Sequence, residues 1–486
     1  MNYYIILIIF ISYSAVLFGV SLLTARKAGN KAYFLGNRQS PWPVVAYGMV
    51  GASLSGVTFI SIPGWVGSSS FTYLMVVFGY LAGYLVITFV LLPLYYKLNL
   101  TSIYTYLQQR FGFFSHKTGA FFFIISRLIG ASFRMFLVIN VLQLFVFDHI
   151  GVPFWVSVLL FLFLITVYSF KGGIKTIVWT DMLQTTFMLA SMFIIINIIL
   201  KQTGYSLLEM INMADEQGLS RILETDWKHD RFYLKQFFSG MFITIVMTGL
   251  DQDMMQKNLS CRSLKDAQKN MISLGFILIP VNLLFLFLGA LLYLYAAHFG
   301  IDHPRLSDEL FPTLAFNHFG VFAGVIFFVG LIAAAYSSAD SAITALTTSL
   351  SIDFLNLEEK RNLTEIKQIK LRYVLHFFIT SLVFLTIVLF SLINNQAVIA
   401  MLFTIAGYTY GPLLGLFAFG LSSKAAIHDR YVPLIAILSP VLCYVLSQNS
   451  ELLLWGYKFG FELLILNGLL TYAGLWIIRK PQQQTT

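Results

Sequence analysis

Thirteen runs of mostly apolar residues follow one another along the chain, separated for the most part by short connections. They lie at 3–23, 43–65, 71–96, 117–146, 152–170, 175–200, 234–256, 270–297, 316–350, 373–393, 397–421, 431–448 and 456–478. A helix of about 20 apolar residues crosses a hydrocarbon core of about 30 Å. Lipid permits little else, because every backbone N–H and C=O in it must be satisfied inside a helix or a closed barrel. The expected fold is an all-α polytopic membrane protein with about 13 transmembrane helices.

Charge agrees with that reading. Only 11% of the 486 residues are charged and 58% are hydrophobic, whereas soluble globular chains carry about 25% charged residues. Several soluble domains could not be covered with so few charges. The net charge of +9 would raise nucleic-acid binding in a soluble protein, but here the basic residues sit between apolar runs. Arg26, Lys27, Lys31 and Arg38 follow the first run, and Lys97 and Arg110, Lys171 and Lys175, then Lys257, Arg262, Lys265 and Lys269 mark every second connection. Lys360, Arg361, Lys367, Lys370 and Arg372, then Lys424 and Arg430, then Arg479 and Lys480 continue the alternation. Such a bias marks the cytoplasmic side. It places the N-terminus outside and the C-terminus in the cytoplasm. The first run lacks the positive leader of a signal peptide and is expected to be retained. The expected partners are the lipid bilayer and a small-molecule substrate, with no nucleic acid and no obligate protein partner.

The connection 201–233 is longer and mixed in charge, a pattern that predicts an amphipathic helix at the membrane surface. Cys261 and Cys443 give neither a disulfide framework nor a metal spacing. Eight scattered histidines share no ligand spacing on a helix face, and no HExxH, Walker loop or GxSxG elbow occurs. The sequence is not that of an enzyme.

Polar residues inside the spans are costly and mark a pathway or a site. In 43–65, Gly51 and Gly56 flank Ala52, Ser53, Leu54 and Ser55, with Thr58 and Pro63-Gly64 beyond. A broken helix here would free carbonyls for a cation and offer hydroxyls to a substrate; close helix packing through small residues is the alternative. In 316–350, at 100° per residue, Ala334, Ser337, Ser338, Asp340, Ser341 and Thr344 fall on one side of a helix. An aspartate on that face requires a cation, a proton or a basic partner. Asp181 stands near the start of its span, where it reads equally as a helix-terminal partner or a site residue. Arg127 and Arg134 are seven apart and share a face. Arg127 fits a structural pair or an interfacial position, and mid-span Arg134 fits an anionic ligand group or a carboxylate partner.

Several motifs in order, Leu54 to Pro63, Lys97 to Leu107, Gly172 to Gln184, Asp251 to Gln256, Asp266 to Lys269, Ala333 to Ser341 and Gly411 to Gly415, resemble the sodium/solute symporters, and within them the bacterial sialic acid transporters. The resemblance implies a single transporter domain over 1–486: an extra N-terminal helix and loop in 1–42, a ten-helix core with an inverted five-plus-five helix repeat in 43–421, and C-terminal helices and tail in 422–486. It implies sodium as the coupling ion, held by carbonyls of Gly51, Leu54 and Ala334 and hydroxyls of Ser337 and Ser338. A second cation site would use Asp181, Ser337, Asp340 and Ser341, with Asp340 a departure from a serine in the relatives. Substrate would meet Ser53, Ser55, Thr58, Tyr73 and Arg134, and Val77 replaces the relatives' pocket glutamine. The expected function is sodium-coupled symport of a small polar, anionic organic solute, a sugar acid or monocarboxylate, by alternating access. The competing readings are a sodium-gated sensor or channel, and a symporter of a neutral sugar or amino acid.

Overall fold

The computed structural model describes residues 3–24, 29–357, 364–392 and 398–480. Arg26, Lys27, Lys360 and Arg361, assigned above to connections, lie outside the described residues. Among the described residues the chain is helical, with two isolated bridges and no β-strand. Each of the thirteen apolar runs contains a helix.

The first is α1 (Tyr3–Thr24). The second is two helices, α2 (Trp42–Ser53) and α3 (Gly56–Ser69), bent by 54° at Leu54-Ser55. Then come α4 (Tyr73–Lys97), α5 (Phe113–Ile150), α6 (Phe154–Gly172) and α7 (Ile174–Thr203). The connection after α7 holds α8 (Leu207–Glu216), amphipathic and started by a capping box. There the Ser206 hydroxyl accepts from the Glu209 amide, and the Glu209 carboxylate accepts from the Ser206 amide. These bonds favour the charged carboxylate and hold Glu209 below its usual acidity range.

A second broken span follows. Helical backbone over 233–249, here α9, gives way at Leu250-Asp251 to α10 (Gln252–Leu259). The remaining helices are α11 (Leu264–His298), α12 (Val321–Phe354), α13 (Glu365–Ser391), α14 (Val398–Ser422), α15 (Val432–Gln448) and α16 (Leu463–Ile477). Among the described residues, nine helices are individually long and apolar enough to cross a membrane, and the α2–α3 pair makes ten. The run expected at 316–350 differs at its start: Leu310–Asn317 is a separate short helix and α12 begins after Gly320, whose φ of 89° only glycine adopts easily.

The order of breaks explains the architecture. Five spans, the α2–α3 pair and α4 to α7, run from the start of the first broken helix to the start of the second. An odd number of crossings makes the second set of five, α9–α10 to α14, start from the opposite membrane face. Two five-span halves, each opened by a broken helix, are therefore inverted relative to one another. The core is most completely buried along α12, where every residue from Gly330 to Ser349 is enclosed. It packs against α7, α2, α3, α5 and α10. Glycine also lets α2 approach α7 closely: a Cβ on Gly48 would lie 2.9 Å from Asp181 Cβ, and one on Gly51 would overlap Thr185 Oγ1.

Candidate functional site

The first break exposes its own backbone. Terminal carbonyls of a helix have no intrahelical donor, so ending α2 at Ser53 leaves those of its last turn available. The Leu54 N–H still closes onto Val50 O at 2.9 Å. The Gly51 N–H donates to Thr185 Oγ1 at 3.1 Å, which fixes α2 on α7. Ala334, Ser337 and Ser338 are buried on α12, which packs on α2 and α3. The Ser338 hydroxyl donates to Ala334 O at 3.2 Å and Ala335 O at 3.1 Å, whereas Ser337 donates to Asp181 Oδ1 at 2.7 Å. In each case the proton points away and the lone pairs of the hydroxyl oxygen stay free to accept.

Ser53, Ser55, Thr58, Tyr73 and Arg134 all line one cavity, with about 90 Å³ open to water-sized groups. The Ser53 hydroxyl and Arg134 Nε are buried without a hydrogen-bond partner among the described residues. Tyr80, Tyr84, Arg127, Thr244, Thr248 and Asn282 complete the polar lining, and Met247, Met254, Leu278, Leu402 and Phe403 add apolar wall. Tyr73 and Tyr80 join hydroxyl to hydroxyl at 2.7 Å. Sequence reasoning named none of Tyr80, Tyr84 or Asn282, because a tyrosine or asparagine in an apolar run reads equally as packing. Val77 is buried in α4 and is not among the residues lining the cavity.

Asp181 stands about two turns inside α7 and is 1% exposed, so it does not cap the helix. The expectation for Lys257 is overturned. It is 1% exposed rather than in a cytoplasmic connection, and its Nζ lies 2.7 Å from Asp181 Oδ2 and 3.9 Å from Asp253 Oδ1. The reason is that α10 turns inward after the break and is buried along its whole length, where a lysine requires carboxylate partners. Asp340 takes a different partner: Tyr168 donates to its Oδ2 at 2.7 Å, and Ser341 donates to its Oδ1 at 3.3 Å.

Arg127 makes the structural pair that was one of its two readings. Its Nη2 pairs with Asp253 Oδ2 and its Nη1 lies 3.7 Å from Asp251 Oδ2. The second break is thus tied down on all sides. Tyr95 donates to Gly249 O and Tyr104 to Leu250 O, each at 2.9 Å, and Tyr410 donates to Asp251 Oδ2 at 2.6 Å. Asp251 also caps α10 by accepting from the Asp253 amide at 2.9 Å. The run 234–256 reads as one span, and an N-capping aspartate at Asp251 is the sequence signal that could have shown the break.

The sodium:solute symporter family model matches residues 33–427. The chain is 24% identical over 463 residues to the sodium/sialic acid symporter NanT of Aliivibrio fischeri, covering 93% of this chain and 89% of that one. It is 24% identical over 427 residues to the human sodium-coupled monocarboxylate transporter 2, covering 82% of this chain and 64% of that one. The fold matches the substrate-bound outward-open state of a Na+-coupled sialic acid symporter with a TM-score of 0.84 at 18% identity, over 98% of this chain and 99% of the other.

Proposed function

The chain belongs to the sodium:solute symporter family, and from that premise we propose that it drives uptake of a small organic anion with inward sodium flow. Its setting is the inner membrane of a bacterial-type cell, with the N-terminus outside and the C-terminus in the cytoplasm. Residues 43–421 form the transport core and 1–42 and 422–486 flank it. Sodium is a transported substrate, held by the carbonyls of Gly51, Leu54 and Ala334 and the hydroxyls of Ser337 and Ser338. Neutral oxygen ligands suit a hard monovalent ion that must be released in every cycle.

The solute occupies the cavity lined by Ser53, Ser55, Thr58, Tyr73 and Arg134. One observation carries the anionic reading: the Arg134 guanidinium reaches the cavity with a buried Nε that no group among the described residues satisfies. Its planar fork matches a carboxylate, and an anion there would supply the missing acceptor. The relatives include sodium symporters of sialic acid and of monocarboxylates, two classes that share this group. A solute of the monocarboxylate class suits the apolar wall of Met247, Leu278 and Phe403.

Coupling follows from where the ligands stand. Gly51 and Leu54 belong to the first half, and Ala334, Ser337 and Ser338 to the second. A sodium bound to all of them favours the arrangement that brings the halves together, and the cavity formed beside Leu54 then binds solute more tightly. By linkage, bound solute raises sodium affinity by the same factor. Uptake into proteoliposomes under an imposed sodium gradient tests the reading: the account expects a carboxylate solute to accumulate above its external concentration. Equilibration without accumulation would indicate a channel, and accumulation without sodium would overturn the coupling.

A further inference from the structure

Lys257 enters none of the roles above, yet it is the cation closest to the carboxylates of the second ligand group. We propose that its ammonium is the resident cation of the Asp181 site, a tether in place of a second sodium ion, so that one free sodium is coupled to each solute. The inference rests on the proposed principal sodium site and adds the number of ions to it.

Three observations point this way. First, both oxygens of Asp181 are engaged. Oδ1 accepts from Ser337 at 2.7 Å and Oδ2 is ion-paired with Lys257 Nζ at 2.7 Å. A second sodium would need those oxygens while standing beside an ammonium of the same charge. Second, Lys257 cannot withdraw to water, because every residue of α10 is buried and Asp253, the next carboxylate in reach, is already paired with Arg127. Third, both oxygens of Asp340 accept from hydroxyls of the protein itself, Tyr168 and Ser341.

The tether also has an address at each end. Ser337, proposed above as a sodium ligand, hydrogen-bonds the carboxylate that Lys257 neutralises. Arg127, which shares Asp253 with Lys257, lines the solute cavity. Lys257 is therefore a positioning residue. It keeps the Asp181 carboxylate oriented so that the Ser337 proton is drawn away from the principal ion.

The test is the ratio of sodium to solute in proteoliposomes, read from simultaneous fluxes of radioactive sodium and the transported carboxylate. Wild type is expected to give a ratio of about one and a sodium Hill coefficient of about one, and Lys257→Arg, which keeps the charge, the same. Lys257→Met vacates the carboxylates and is expected to raise both numbers toward two. A lysine that only stabilised the fold would change the amount of active protein and leave the ratio alone. A wild-type ratio of two overturns the tether whatever the variants do, so the measurement decides even if Lys257→Met does not fold. A folded Lys257→Met protein that still gives one also overturns it. Ser338→Ala separates the two readings: it is expected to weaken sodium activation at an unchanged ratio, and an unchanged sodium affinity would overturn the principal site while the wild-type ratio still decides the tether.

Discussion

The two broken helices begin their halves in the same way and then diverge. At Leu54-Ser55 the chain uses Gly51, Ala52, Ser53, Ser55 and Gly56 and places no formal charge. At Leu250-Asp251 it uses two aspartates and a lysine, and three tyrosines hydrogen-bond the break itself. Both answer the same problem, since a helix broken at membrane depth frees backbone groups that lipid cannot satisfy. The first break leaves some of that capacity unspent and next to α12. The second satisfies it from within the protein. An ion arriving from solution has neutral oxygen ligands to find at the first break and meets paired charges at the second.

The contrast is sharpest where a charge can be orphaned. Asp253→Ala would leave Arg127 without its closest partner and remove one of Lys257's two carboxylates, and breaking a buried pair from one side costs about 3–5 kcal/mol. The expected outcome is a large fall in thermal stability in detergent. A neutral change at the first break, Ser53→Ala, should leave stability close to wild type, because its hydroxyl makes no hydrogen bond among the described residues. Equal losses would erase the distinction.

Arg134→Ala is expected to abolish uptake of a carboxylate solute while leaving sodium binding in place, since Arg134 belongs to the cavity and to neither break. Measurement of solute KM and of sodium binding on the same preparation checks it. An unchanged KM would remove Arg134 from the pocket.

Smaller effects test the stitching. Tyr104→Phe deletes one hydrogen bond to Leu250 O and should cost about 0.5–1.5 kcal/mol, visible as a modest fall in Tm. Outside both breaks, acidity at α8 gives the smallest signal. Glu209 is held below its ordinary range by the Ser206 bonds, so its contribution to helix stability is complete above the unfolded value and fades as pH falls through the lowered one. Hydrogen exchange of α8 should therefore quicken on acidification, and Ser206→Ala should remove most of that dependence.

The helices were legible in the sequence because crossing lipid demands length and apolarity, and those are visible residue by residue. The first break was legible through Gly51, Ser53 and Gly56. Arg134 was legible because a mid-span guanidinium needs a reason. Lys257 was not, since a lysine at the end of an apolar run looks the same whether it enters the cytoplasm or turns back into the protein. What distinguishes them is the direction of α10 after the break, and that is set by Gln252, Gln256 and Asn258 finding buried partners in distant segments. No local pattern encodes such partners. The amphipathic character of 201–233, in contrast, was local and appeared as α8.

Sodium activation of solute uptake in wild type, Ser337→Ala and Ser338→Ala tests the central claim most directly, because each variant removes one of the hydroxyls proposed as sodium ligands. A lost ligand is worth about 1–3 kcal/mol, so the half-saturating sodium concentration should rise roughly fivefold to a hundredfold in each. Wild-type sodium dependence in both variants would contradict the account.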